Sequence, residues 1–420
     1  MMRRRIFKIF FVCGFGILLA LAPAFAAQAA KVTIGPHNVI FVDGKAVFPI
    51  GFTKAPPPGS KTPSGGDAYQ ELKTNGTVFH LVGPLPKQKW GPDTEAELDH
   101  IMELSAKAGL LTAISIPQLQ AIGPHDQQKT DELKRVVEKY SKSPALGFWK
   151  AEDEPAWGKV SAETVQRYYD VVHGLDPNHP VWVTQAPRGT VASLREYNPG
   201  YDIGAIDIYP IGYPPGEHSL GANKDISMVG DYARELQEIT EGKKPFWMVL
   251  QICWSGVTKP GRTLRFPTFP QERYMAYQSI IDGARGLVFF GGTVPGCMNE
   301  RDRELGWNWT FYDRILKPVL DELKPDSPVF PALVAPDSSL HIELQGASDI
   351  EYLAREAGGY LYVLAAKRQG STVQVEFSGL PAGIGEGEVL YEAPRKVAVT
   401  GGKFRDWFAP HDVHVYRFKE

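Results

Sequence analysis

The chain has 420 residues and sets 45 Lys and Arg against 48 Asp and Glu, a formal charge of −3. With no basic block beyond its first eight residues, it lacks the electrostatic footprint of a nucleic-acid partner. Three cysteines are too few for a disulfide scaffold, and the length exceeds what one hydrophobic core serves, so a large domain and a smaller one are expected.

Residues 1–30 have the layout of a cleaved secretory signal. Arg3, Arg4, Arg5 and Lys8 form the basic start. An apolar run over 9–21 leads into Ala24-Phe25-Ala26 and Ala27-Gln28-Ala29, either of which suits a signal peptidase. Cys13 lies inside the apolar run and does not read as a lipid-attachment site. The expectation is a secreted or periplasmic protein with no membrane segment after cleavage.

Residues 31–331 alternate short apolar strands with longer amphipathic stretches, the rhythm of a parallel sheet. Candidate strands are 46–52, 77–81, 110–116, 145–150, 181–185, 203–208, 246–251 and 286–290. Helical spacing marks 94–108, 128–140 and 162–175, the last behind a Ser161 cap. No glycine-rich phosphate loop follows any strand, which disfavours an open doubly wound sheet. Eight such units predict a closed (β/α)8 TIM barrel. A helical stretch at 312–323 is followed by Pro325, Pro328, Pro331 and Pro336, and the pattern then changes to period two. Residues 332–420 are therefore expected to form a small all-β sandwich, with strands near 340–344, 350–355, 360–366, 372–377, 387–391 and 413–418.

A parallel barrel carries its site at the carboxyl ends of the strands. That filter selects Thr53 and Lys54, His80, the run Lys150 to Glu154, Asp207 and Tyr209, Gln251 and Trp254, and beyond the eighth strand Glu300, Glu304, Trp307 and Trp309. Cys253 and Cys297 follow the last two strands and belong on the same mouth, where geometry decides whether they bridge.

Phe148-Trp149-Lys150-Ala151-Glu152-Asp153-Glu154-Pro155 resembles the strand-four signature of clan A glycoside hydrolases. Val47-Phe48-Pro49-Ile50-Gly51-Phe52 is similar to their first strand, and Asp207-Ile208-Tyr209-Pro210 to a recurrent strand-six ending among their relatives. The resemblance covers residues 31–331 in order, and the trailing β-region is similar to accessory sandwiches of that group. It implies a (β/α)8 enzyme in which Glu154 is the general acid/base. Two positions depart from the pattern. Asp153 stands where the group has Asn, and Gln251 stands where strand seven should end in a nucleophilic glutamate. An uncharged amide is a poor nucleophile toward an oxocarbenium-like centre.

Asp207 is then the best-placed second carboxylate, with Asp153 a third candidate and Glu300 or Glu304 able to approach from the last loop. In the competing reading Asp207 only orients Lys54 or Lys150 through an ion pair. A carboxyl separation of about 5–5.5 Å suits retention of configuration, and roughly 6.5–9.5 Å suits inversion. Gln251, Tyr209, Trp254, His80, Lys150 and Trp307 are the candidate sugar-binding residues, with Trp254 and Trp307 as stacking platforms. His80 reads equally as a satisfied buried histidine. No second His or Cys stands at ligand spacing, so neither metal nor cofactor is expected. The reading is an exported glycoside hydrolase acting on an oligo- or polysaccharide. Its alternative is a non-catalytic carbohydrate-binding barrel that has lost the strand-seven nucleophile.

Overall fold

The computed structural model describes residues 28–85, 88–254, 256 and 259–420, so nearly all of the expected signal lies outside the described residues. Eight parallel strands form a closed barrel: β1 Ile50–Phe52, β2 Phe79–Val82, β3 Leu111–Ile114, β4 Leu146–Asp153, β5 Val181–Gln185, β6 Ile203–Asp207, β7 Phe246–Gln251 and β8 Leu287–Phe290. They follow one another around the ring in chain order, β8 pairing with β1. The sequence placed all eight. It joined the first to the preceding Lys45–Val47, but Phe48 and Pro49 interrupt the two, and Lys45–Val47 belongs to a separate antiparallel sheet with Val32–Ile34 and Ile40–Val42.

Strand alternation decides what fills the barrel. Phe79, Phe148, Trp182 and Trp247 point inward and interlock, their ring centroids 4.9 to 6.2 Å apart. Ala30, Val32 and Ile40 join the same apolar cluster, so the N-terminal sheet packs with the barrel's interior plug. The neighbouring residues Trp149 and Ala151 face the surrounding helices instead. Those helices include α1 Ala68–Thr74, α2 Pro92–Ala108, α3 Gln127–Tyr140, α4 Ala162–Leu175, α5 Val191–Arg195, α6 Met228–Thr240, α7 Phe269–Ile281 and α8 Lys317–Leu323. Ser161 caps α4 as expected, accepting from the Thr164 N–H.

The C-terminal region forms antiparallel strands β9 Glu343–Gln345, β10 Ile350–Ala357, β11 Tyr360–Lys367, β12 Val373–Ser378, β13 Glu386–Leu390, β14 Lys396–Ala398, β15 Lys403–Phe408 and β16 Val413–Lys419. They make a three-stranded sheet, β9-β12-β15, and a five-stranded one, β10-β11-β16-β13-β14, around a shared apolar core. Strands β14 and β15 were not foreseen. Lys403, Arg405 and Asp406 are charged, which masks the alternation of Phe404 and Phe408 toward the core.

Leu353, Tyr362, Leu364, Val413 and Val415 of these strands belong to the same buried cluster as Tyr274, Tyr277 and Ile281 of α7. Charge reinforces the junction. Arg234 on α6 reaches Asp282 at 3.0 Å and Glu351 at 2.5 Å, and Arg368 meets Glu351 at 2.8 Å. Arg273 on α7 donates to Glu322 and to the Val413 carbonyl.

Glu272 on the same helix is fully buried, and neither of its carboxyl oxygens has a hydrogen-bond partner among the described residues. Burial pushes its pKa well above the ordinary carboxylate range. A folded-state pKa above the unfolded one means that its contribution to stability is fully present below the unfolded pKa and declines as pH rises toward the folded pKa. Glu272→Gln should therefore raise the melting temperature by a few degrees at pH 8 and by less at pH 5. Thermal unfolding at both values checks this; an equal effect at both would contradict it.

Candidate active site

Strand β4 places the acidic run. Phe148 lies in the barrel plug, and Lys150 and Glu152, each two residues further on, line the cavity above it. The pairing of β4 with β5 then shifts register between Lys150 and Asp153. Such a shift re-aims side chains at a barrel rim, and here Asp153 and Glu154 both line the mouth as well. Glu154 holds a positive φ of 47° although it carries a side chain and precedes Pro155, a residue that ordinarily forces its predecessor into extended backbone. Hydrogen bonds hold it there: its N–H donates to the Thr184 carbonyl and its own carbonyl accepts from Gly158, each at 2.8 Å. Strain of this kind persists where the surroundings over-determine it.

The mouth encloses a cavity of about 490 Å³. Glu154, Asp207 at the end of β6 and His218 in the following loop each bring a ligand-type atom into a cluster whose members lie within 4.8 Å of one another. Burial, the Glu154 and Asp153 charges and the proton shared with Glu154 all push Asp207 well above the carboxylate range. Burial, then the Asp153 charge, raises Glu154, whereas Asp207, Lys150 and Arg188 pull it back. Two carboxyls this close hold one proton between them. Asp207 Oδ1 is buried without a hydrogen-bond partner among the described residues. Tyr209 adjoins Asp207, is itself driven upward by burial, and stacks between His218 at 4.4 Å and Phe290 at 5.2 Å.

His218 carried no sequence signal, because it lies in an irregular loop eleven positions past Asp207. Its Nε2 stands 3.7 Å from Asp207, and burial lowers its pKa to about 3, leaving a neutral ring. A neutral imidazole and two carboxylates are also a donor set suited to a divalent cation. Metal-ligand spacing in the sequence gave no hint of it. Trp182, Arg188 and Gln120 are further residues that sequence position did not single out. Trp182 and Gln120 line the cavity, and the Arg188 charge bears on Glu154.

Several expectations are corrected. Asp207 forms no ion pair with Lys54 or Lys150; Lys150 pairs with the exposed Asp153 at 3.0 Å. His80 lies outside the cavity, 2% exposed, its Nε2 bonded to Ser105 at 2.8 Å. Trp307 is fully buried, edge-on to Phe52, with its indole N–H donated to the Lys54 carbonyl. It anchors the loop after β1 and offers no face to a sugar. Trp309 and Trp149 are likewise buried, the latter donating to Asp176. Glu300 and Glu304 are exposed on a short helix outside the cavity. Trp254 does line the cavity and meets His218 edge-on at 5.1 Å. Cys253 and Cys297 are bridged, their Cα atoms 6.5 Å apart, and the bridge ties the loops after β7 and β8. Gly291, at φ 99°, lets the chain pass Cys253, since a Cβ there would stand 2.0 Å from its carbonyl oxygen.

Gln251 is fully buried and is absent from the cavity lining. Its Oε1 accepts from the Ile211 N–H and its Nε2 donates to the Ile211 carbonyl, both at 2.8 Å. The N–H and carbonyl of one residue thus use both ends of the amide, and the contact fixes the loop that carries Tyr209. A carboxylate could accept from the N–H but would oppose the carbonyl. Gln251→Glu should therefore lower stability by about 1–3 kcal/mol and reduce any activity of the site. Chemical denaturation checks it; an unchanged stability with a gain in turnover would contradict it.

No family model matches the sequence, and no curated protein matches it. Solved structures match its fold. A glycoside hydrolase aligns over 93% of this chain and 97% of its own at 15% identity, with a TM-score of 0.61. A glycoside hydrolase family 5 protein from Bacteroides vulgatus aligns over 93% and 94%, also at 15% identity and 0.61. An alpha-amylase from Geobacillus thermoleovorans aligns over 90% of this chain and all of its own at 12% identity and 0.55. The chain has the (β/α)8 barrel with trailing β-sheets seen in glycoside hydrolase structures, and at these identities the likeness is one of fold.

Proposed function

We propose that the chain is a glycoside hydrolase acting on O-glycosidic bonds of an oligo- or polysaccharide, with Glu154 as the proton donor and Asp207 as its partner carboxylate. The observation that carries this reading is the meeting of the two carboxyls at the mouth of the barrel, beside Trp254, in a cavity of about 490 Å³. A pair in such close contact leaves no room for a water between its members and lies nearer to the spacing of about 5–5.5 Å that retaining enzymes use. The proton that the pair shares passes through Glu154 to the departing glycosidic oxygen, which leaves Asp207 as the carboxylate that bonds to the anomeric carbon. Glu154 then takes a proton from water, whose oxygen attacks the same carbon and releases Asp207. The depressed ring of His218 keeps it from competing for the shared proton. Gln251 has a structural occupation in its pairing with Ile211, so its presence is no argument for a barrel that has lost turnover. Work outside the cytoplasm is supported by the signal-like start and by the Cys253–Cys297 bridge, which persists in oxidising compartments.

Glu154→Gln should lower the rate on an unactivated glycoside by about 10²–10⁴ and by less on an activated aryl glycoside. Asp207→Asn should be at least as damaging on both. Because the acid must be protonated, activity should fall as pH rises through the raised pKa of the pair. Product anomers followed by NMR should show net retention, and a chelator should leave the rate unchanged. A Glu154→Gln variant keeping more than about a tenth of the rate on an unactivated substrate would move the acid to Asp153 or Glu152. Inversion would remove Asp207 as nucleophile.

A further inference from the structure

Six acidic or lysine side chains line the cavity: Lys54, Lys150, Glu152, Asp153, Glu154 and Asp207. Five are accounted for. Lys150 pairs with Asp153 at 3.0 Å, Glu154 and Asp207 share a proton, and burial drives Glu152 toward its neutral form. Lys54 is left over. Its ammonium has no carboxylate within 4.0 Å and no hydrogen-bond acceptor among the described residues. The fully buried Lys367 and Lys150 are satisfied: Lys367 meets Asp349, and Lys150 adds the Ala151 and Glu152 carbonyls to Asp153, whereas Lys54 is half-buried. Partial burial also lowers the Lys54 pKa, as expected for a cation that has given up part of its water and has no counter-charge beside it.

The backbone beneath this ammonium is fixed. The Thr53 N–H donates to the Phe289 carbonyl at 3.0 Å, and the Lys54 carbonyl accepts from the fully buried Trp307 indole at 2.9 Å. The strand order then gives its direction relative to the chemistry. Glu154 follows β4 and Asp207 follows β6, so the pair straddles β5, and β1 stands four places from β5 around an eight-stranded ring. Lys54 therefore rises from the wall opposite the carboxyl pair. Consistently, the cations acting on Glu154 are Lys150 and Arg188, not Lys54.

We infer that Lys54 is a specificity residue that receives an anionic substituent of the bound sugar, a carboxylate or a sulfate ester, on the part of the ring remote from the scissile bond. This rests on the reading of the cavity as a sugar site. A sugar held with its anomeric carbon at Glu154 and Asp207 turns its far edge toward β1. A neutral hydroxyl there would leave the ammonium without a counter-charge, whereas an anion would form a charge-assisted hydrogen bond with it.

The test is direct binding to the full chain carrying Glu154→Gln, which separates recognition from turnover. The probes are glucuronate, galacturonate and galactose 6-sulfate against glucose and galactose, measured by calorimetry. At least one anionic sugar should bind about 10- to 100-fold tighter than its neutral counterpart. Comparing uronates with the sulfate ester separates the two sources of charge. Adding Lys54→Met should abolish that preference and leave neutral-sugar affinity within about threefold, whereas Lys54→Arg should retain part of it. Circular dichroism and melting temperature show that the variants are folded. Equal or tighter binding of neutral sugars, a preference that survives Lys54→Met, or no binding of any probe overturns the inference. Hydrolysis of neutral glycosides by the unaltered chain, with no anionic sugar bound more tightly than its neutral counterpart, leaves the hydrolase standing and removes this assignment. Lys54-dependent anion binding with no release of reducing sugar by the unaltered chain does the reverse.

Discussion

A closed eight-stranded barrel must fill its own interior, and in this protein four aromatic rings do so. Phe79, Phe148, Trp182 and Trp247 come from β2, β4, β5 and β7 and lock against one another across the axis. Their bulk sets the floor of the cavity above. Because side chains alternate, a residue two positions past a plug ring faces inward one level higher. Lys150 stands in that relation to Phe148, and Val249 to Trp247, and both line the cavity. The plug thus determines which positions can meet a ligand.

Above that floor the electrostatics are arranged by burial more than by pairing. Asp207 and Glu154 have little water and a like neighbour, so they hold a proton at a pH where free carboxyls have lost theirs. Asp153, with its side chain 74% exposed, instead forms a rim ion pair with Lys150. Three consecutive acidic residues consequently occupy three environments, and the register shift in β4 is what separates them.

Those environments explain what was legible in the sequence. Period-two apolar runs and helical spacing report burial directly, so eight strands and the main helices could be placed from residues alone. The acidic run after the fourth strand and Asp207 after the sixth could be placed by the same logic. What failed was the inference from strand end to open cleft. Gln251 and His80 have side chains already committed to Ile211 and Ser105, and Trp307 is sealed under the loop after β1. Nothing in residue type distinguishes a satisfied polar group from a waiting one. His218 was missed for the opposite reason: irregular backbone brings it to Asp207, and irregular backbone has no period.

The shared cluster between α7 and the C-terminal strands bears on how the molecule comes apart. Leu353, Tyr362, Leu364 and Val415 bury themselves among Tyr274, Tyr277 and Ile281, and Arg234 and Arg273 bind across the same seam. Prying the sheets from the barrel would expose apolar surface on both and cost Arg273 and Arg234 their partners across the seam. Separate melting of the two parts is thereby disfavoured, and heat or denaturant should meet a single cooperative unit. Damage to a trailing strand would then be felt at the carboxyl pair of the barrel, through the population that is folded at all.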